Sequence, residues 1–201
     1  MEVQQMAETI VINCFAGPGA GKTTAAFYIA CELKKRGYVT EYVPEYAKEL
    51  VWDKNFTALD GNPEHQRELL LEQKHRLDRL NGQVEFIVTD SPLLLNHIYL
   101  DKEKADAEEY LKDVLQMHRE YHNFNLFITR DTRKFETEGR LQNLAESKEI
   151  DTAIKELLDN CKEFYGTYYH NTLSFTVINA IKTFDRYNPG VSFNKKMGKG
   201  R

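Results

Sequence analysis

Short, nearly continuous apolar runs alternate along this chain with longer stretches in which apolar side chains recur every three or four residues. The run Ile10-Val11-Ile12-Asn13-Cys14-Phe15 has the length of a strand buried on both faces. Ala26, Ile29, Ala30 and Leu33 then share one face of a helix expected from about Thr23 to Arg36, with Gly37 as its stop. Tyr38 to Val43 reads as a second strand ended by Pro44, and Glu45 to Trp52 as a short helix before a loop from Asp53 to Gly61. Asn62-Pro63, a capping residue followed by proline at the first helical position, opens a helix that carries Leu70, Leu77 and Leu80 to about Asn81-Gly82. A third strand, Phe86 to Thr89, runs into Asp90-Ser91-Pro92. A charged helical region follows from Leu93 to about Tyr121, broken near Asp101. Asn125 to Thr129 is the fourth strand, Arg130 to Gln142 a polar loop, Ser147 to Lys162 a helix, and Leu173 to Ile178 the fifth strand. Strands alternating with helices in this way predict an α/β fold: one three-layer domain with a mainly parallel five-stranded sheet over residues 1–188, then a basic flexible tail at 189–201.

The turn between the first strand and first helix is Gly17-Pro18-Gly19-Ala20-Gly21-Lys22-Thr23-Thr24. Strand, glycine-rich turn and helix are the setting of a Walker A phosphate loop, and with it of a P-loop NTPase fold. The glycines let successive backbone N–H groups curl around the β- and γ-phosphates, and the helix N-terminus adds its partial positive charge. Lys22 is expected to reach those phosphates, and the Thr23 hydroxyl to ligate Mg²⁺. Ala16 stands where the strictest form of the motif has its first glycine. Residues 17 to 24 are therefore the expected binding site for ATP.

Bulk composition narrows the setting. The chain has 201 residues, 41% hydrophobic and 29% charged, as soluble globular proteins do. No apolar run approaches the roughly 20 residues of a membrane span. The N-terminal Met1-Glu2-Val3-Gln4-Gln5 lacks the basic-then-apolar order of a secretory signal. Cys14, Cys31 and Cys161 share no metal spacing and read as reduced, packed thiols of a cytoplasmic protein. The net charge of −4 is not that of a generic polyanion binder, although Lys195, Lys196, Lys199 and Arg201 gather at the end. No oligomeric state follows from these features.

The residues beyond the loop indicate what happens to the phosphate. Asp90 closes the third strand, where a Walker B carboxylate approaches Mg²⁺, although an aspartate in an Asp-Ser-Pro turn also serves as a helix cap. The next residue is Ser91 rather than a second acid that would activate water, which points to transfer onto a substrate hydroxyl. Glu45, at the carboxyl end of the second strand, is placed to accept the proton of that hydroxyl, with Glu49 as the reserve. Arg130, Arg133 and Arg140 are candidates to clamp the phosphoryl group in transfer. Tyr42, Tyr46, Trp52 and Phe56 lie near Glu45 in sequence and could either stack on a base or pack in the core. His118 and His122 read as one turn apart on a helix with no third metal ligand, and Asn179 to Lys182 as a loop near adenine. No Asn-Lys-x-Asp guanine motif occurs, which disfavours a GTPase.

The loop together with Tyr46-Ala47-Lys48-Glu49-Leu50, Thr89-Asp90-Ser91-Pro92-Leu93-Leu94-Leu95 and Phe135-Glu136-Thr137-Glu138-Gly139-Arg140 resembles a family of small phage P-loop kinases. That family is similar to nicotinamide riboside kinases and nucleotide kinases, and the resemblance runs roughly from Ile10 to Ile178. It includes enzymes that phosphorylate 5-hydroxymethyluracil within phage DNA. The resemblance implies an ATP- and Mg²⁺-dependent kinase acting on that hydroxymethyl group in the host cytoplasm, with a free nucleoside or nucleotide as the alternative acceptor. A non-catalytic ATP-binding module is the third reading. A DNA acceptor implies backbone contacts from basic residues such as Lys102, Lys104, Lys112 and Arg119.

Overall fold

Ile10–Phe15 (β1) is buried at all six positions, which only a strand with neighbours on both edges and layers on both faces can be. The computed structural model describes residues 7–130 and 143–189, and within them β1 pairs in parallel with Phe86–Thr89 (β3) on one side and His122–Ile128 (β4) on the other. Thr40–Val43 (β2) adds to β3, and Tyr165–Tyr168 (β5) to β4, giving the all-parallel order β2-β3-β1-β4-β5. Such a sheet needs helices on both faces. Lys22–Lys35 (α1) and Leu173–Tyr187 (α7) cover the face that carries Ile10, Ile12 and Cys14. Pro63–Asp78 (α3), Leu95–Ile98 (α4), Ala107–His118 (α5) and Leu144–Asn160 (α6) cover the face of Val11 and Phe15. The short helix Tyr46–Trp52 (α2) follows β2.

Local chemistry accounts for the helix starts. The Asn62 side chain accepts the Glu64 amide at 2.9 Å with Pro63 as the first helical residue of α3. Asp106 accepts the Glu108 and Glu109 amides to open α5, and Asn143 with Glu146 forms a reciprocal capping box on α6. The loop before α1 needs glycine at two points, Gly19 at φ 73° and Gly21 at φ 96°, where a side chain would strain the left-handed backbone.

The C-terminal part departs from the sequence expectation. Leu173 to Ile178 is not a strand but the first half of α7, whose Leu173, Val177, Ala180, Ile181 and Phe184 share one buried stripe. A six-residue window shows only the apolar start of that stripe, whereas its helical period needs the next two turns. The fifth strand is instead Tyr-Gly-Thr-Tyr at the sheet edge, half-buried and without alternation to mark it. Asn179 to Lys182 accordingly lie inside α7 rather than in a loop near a base. The expected charged helical region divides into α4 and α5, and β4 starts at His122. His118 ends α5 and His122 begins β4, so the two histidines do not share a helix. Cys14 and Cys161 are buried thiols as expected, but Cys31 is exposed on the outer side of α1. Among the described residues no helix is long and apolar enough to cross a membrane.

Candidate active site

β1 delivers the chain to the carboxyl edge of the sheet, where the glycine-rich turn runs into α1 with no side chain capping that helix. Its first amides are thus left to an external acceptor, the arrangement that receives a phosphate. Lys22 Nζ rests on the turn's own carbonyls, 2.9 Å from Ala16 O and 3.3 Å from Gly17 O. An ammonium held by two neutral acceptors is poised to exchange them for anionic oxygens, which bind it more strongly.

Asp90 follows β3, is 2% exposed, and faces Thr23. The Thr23 hydroxyl donates to Asp90 Oδ2, and the Tyr42 hydroxyl donates to Oδ1 at 2.8 Å. A threonine hydroxyl beside a buried carboxylate is a hard-oxygen pair that fits Mg²⁺, whose other positions are usually filled by water and substrate phosphate. Burial and the adjoining Asp90 carboxylate push the Tyr42 phenol far up, so it remains protonated and a donor. Burial, then Asp90, raises the Cys14 thiol under the site in the same way, which keeps it neutral. Tyr42 is itself held by Phe27 of α1, with ring centroids 4.6 Å apart. The role of Tyr42 was not visible in the sequence, because it arises from the β2–β3 pairing that sets Tyr42 opposite Val88.

The other candidates separate. Glu45 is the N-cap of α2, half-buried, and its side chain does not cap the helix. Its negative charge raises the phenols of Tyr42 and Tyr99, behind burial in both cases, which places it on the Asp90 side of the site. Glu49 is locked in a bidentate pair with Arg76 of α3 at 2.7 and 2.8 Å, and that guanidinium holds its carboxyl below the ordinary glutamate range. Arg76 also lies 4.7 Å from the Tyr46 ring, while Trp52 and Phe56 are 62% and 50% exposed, so the four aromatics do not form one platform. Arg130 is tied to the loop itself and to α6 rather than standing clear of them: Nη1 donates to Pro18 O at 2.9 Å and Nε to Asp151 Oδ2 at 2.9 Å. Arg133 and Arg140 lie outside the described residues. Of the basic residues considered for a DNA backbone, Lys104 pairs with Asp101 at 2.7 Å and Arg119 with Glu163 at 2.8 Å. Among the described residues no group of three or more His, Cys, Asp or Glu could hold a metal without help.

Residues 12–170 match a family profile described as an AAA domain. Among solved structures, a NadR protein in complex with NR is similar at 16% identity with a TM-score of 0.65, over 92% of this chain and 52% of that one. A NadR protein in complex with NAD and AMP-PNP is similar at 15% identity with a TM-score of 0.61, over 92% of this chain and 50% of that one. The chain thus spans about half the length of these structures, and at such identity the likeness is one of fold: three layers around a parallel sheet. No curated protein matches the sequence.

Proposed function

The chain belongs to the AAA domain family, and we propose that it is an ATP-dependent kinase that transfers the γ-phosphoryl group to a hydroxyl on a nucleoside-type acceptor. The observation that carries this reading is the convergence of Lys22, Thr23 and Asp90 at the mouth of one glycine-rich turn, with Ser91 in the position where a second acid would favour hydrolysis. In this reading the amides from Gly19 to Thr23 bind the β- and γ-phosphates and Lys22 leaves its two carbonyls for them. Thr23 and Asp90 would hold Mg²⁺, which would supply positive charge to the phosphate oxygens. Glu45, at the carboxyl end of β2 where the acceptor would lie, accepts the acceptor hydroxyl's proton.

For the acceptor, the resemblance described above favours the hydroxymethyl group of 5-hydroxymethyluracil in phage DNA, a base that must leave the stack to reach the γ-phosphorus in line. The pairing of Lys104 and Arg119 with carboxylates supports the second reading, a free nucleoside or nucleotide. Incubation with γ-labelled ATP and either hydroxymethyluracil-containing DNA or a panel of free nucleosides separates them. Label in the DNA supports the first acceptor, label in the monomer pool alone the second. The Lys22→Ala variant should lose at least about a hundredfold in turnover with either. Transfer to no acceptor by a protein that still binds ATP would reduce the chain to a binding module.

A further inference from the structure

The glycine-rich turn is fastened from behind by α6. Pro18 has no amide hydrogen, so the backbone of that residue can be tethered through its carbonyl alone. That carbonyl accepts from Arg130 Nη1 at 2.9 Å and from Ser147 Oγ at 2.9 Å. The preceding amide, Gly17 N–H, donates to Asp151 Oδ1 at 2.6 Å. Asp151 Oδ2 accepts from Arg130 Nε at 2.9 Å, and Arg130 Nη2 reaches the Ser147 carbonyl at 3.2 Å. Three side chains, one just beyond β4 and two in the first two turns of α6, thus hold two consecutive residues of the turn. All are shielded: Ser147 is fully buried, and the Arg130 and Asp151 side chains are 14% and 18% exposed. The approach is too close for any residue but glycine at 17. A methyl there would overlap the Ser147 carbonyl oxygen and press on Asp151 Oδ1 at 2.9 Å.

A carboxylate beside a turn that receives a triphosphate would repel it. Arg130 removes that objection by forming an ion pair with Asp151 at 2.9 Å, so the support carries little net charge toward the ligand. We infer that Asp151 and Ser147, with Arg130, are positioning residues for the phosphate loop. They fix the Gly17–Pro18 turn so that the amides beyond it converge before the nucleotide arrives. This rests on the reading of the turn as the ATP site and extends that site to α6. Arg130 then serves as support for the loop rather than as a clamp on the phosphoryl group in transfer. Groups that order a site in advance lower the cost of binding without changing the step that follows.

The experiment compares the full chain with Asp151→Ala and Ser147→Ala, reading kcat and KM for ATP and amide hydrogen exchange in the nucleotide-free protein. Asp151→Ala should raise the ATP KM by about tenfold or more, because it removes a bond to an ionised acceptor. Ser147→Ala should raise it severalfold, and kcat should stay within a factor of about two in both. Amides of residues 17–21 should exchange faster while those in the middle of α6 do not. Unchanged ATP KM and unchanged exchange in folded variants overturn the inference, as does a fall in kcat with ATP KM unmoved, which is what general loosening would produce. If Asp151→Ala fails to fold, Ser147→Ala decides alone, since it removes one neutral bond and leaves the ion pair. If the wild-type protein takes up no ATP, the kinase reading fails separately, and the brace stands or falls on the exchange rates of residues 17–21.

Discussion

Asp90 serves two partners with its two oxygens: one accepts from the Thr23 hydroxyl, the other from Tyr42. Removing the second donor tests whether the carboxylate must be aimed. Tyr42→Phe keeps the ring on Phe27 and deletes only the hydroxyl, so the Mg²⁺ concentration for half-maximal turnover should rise roughly tenfold while the ATP KM at saturating Mg²⁺ stays put. A magnesium titration of the two proteins measures this directly. Away from the site, His118 is 1% exposed and its Nε2 has no hydrogen-bond partner among the described residues, the Glu163 carboxylate being 3.8 Å away. Burial first, and the neighbouring Arg119 charge second, bring its pKa down to about 4, the Glu163 attraction being too distant to compensate. With the folded value below the unfolded one, the unfolded chain binds more protons between these pH values. Stability is therefore fully present above the ordinary histidine range and is lost as pH falls from about 6.5 to about 4, by up to roughly 3 kcal/mol. Urea midpoints across that window should fall steeply for the wild type and less for His118→Gln. Some slope should persist in the variant, because burial and Lys102 lower His97 in the same sense.

Helices and strands were legible in proportion to how local their causes are. Asn62-Pro63 announces α3 within two residues, and the buried stripe of α1 is complete inside four turns, so both were readable. The same locality predicts that Asp106→Ala, which strips the cap from α5, costs about 1 kcal/mol and lowers Tm by roughly 2–4 °C with turnover unchanged. Differential scanning calorimetry beside an activity assay checks both halves. α7 and β5 were exchanged because each owes its form to its neighbours. A polar edge strand such as Tyr165–Tyr168 exists only because β4 offers it a ladder. The phosphate loop divides in the same manner. Lys22, Thr23 and the two left-handed glycines form a local signature, and Asp90 marks a strand end. Asp151 and Ser147 sit at ordinary helical positions with no motif around them, and only the packing of α6 against the turn brings them there.

Taken together, the charges bear on the acceptor. The net charge is −4, and two of the four basic residues named for a DNA backbone, Lys104 and Arg119, are already paired with carboxylates. Were a hydroxymethyluracil oligonucleotide the acceptor, its KM should rise with salt along a log–log slope of only about 2 to 3, since each phosphate contact contributes about 0.9. The KM for ATP serves as the internal control, and a flat acceptor slope would place the substrate among free nucleosides. The sheet order has a further effect on the life of the chain. Gly17 is fastened by Asp151, 134 residues later, and β1 lies between strands that are both made long after it. A ribosome adding about 5–20 residues per second needs roughly 7 to 27 s to cover that interval. If Asp151 is what shapes the turn, a chain still lacking α6 should take up nucleotide less readily than the finished protein, so that capacity would arrive late in synthesis.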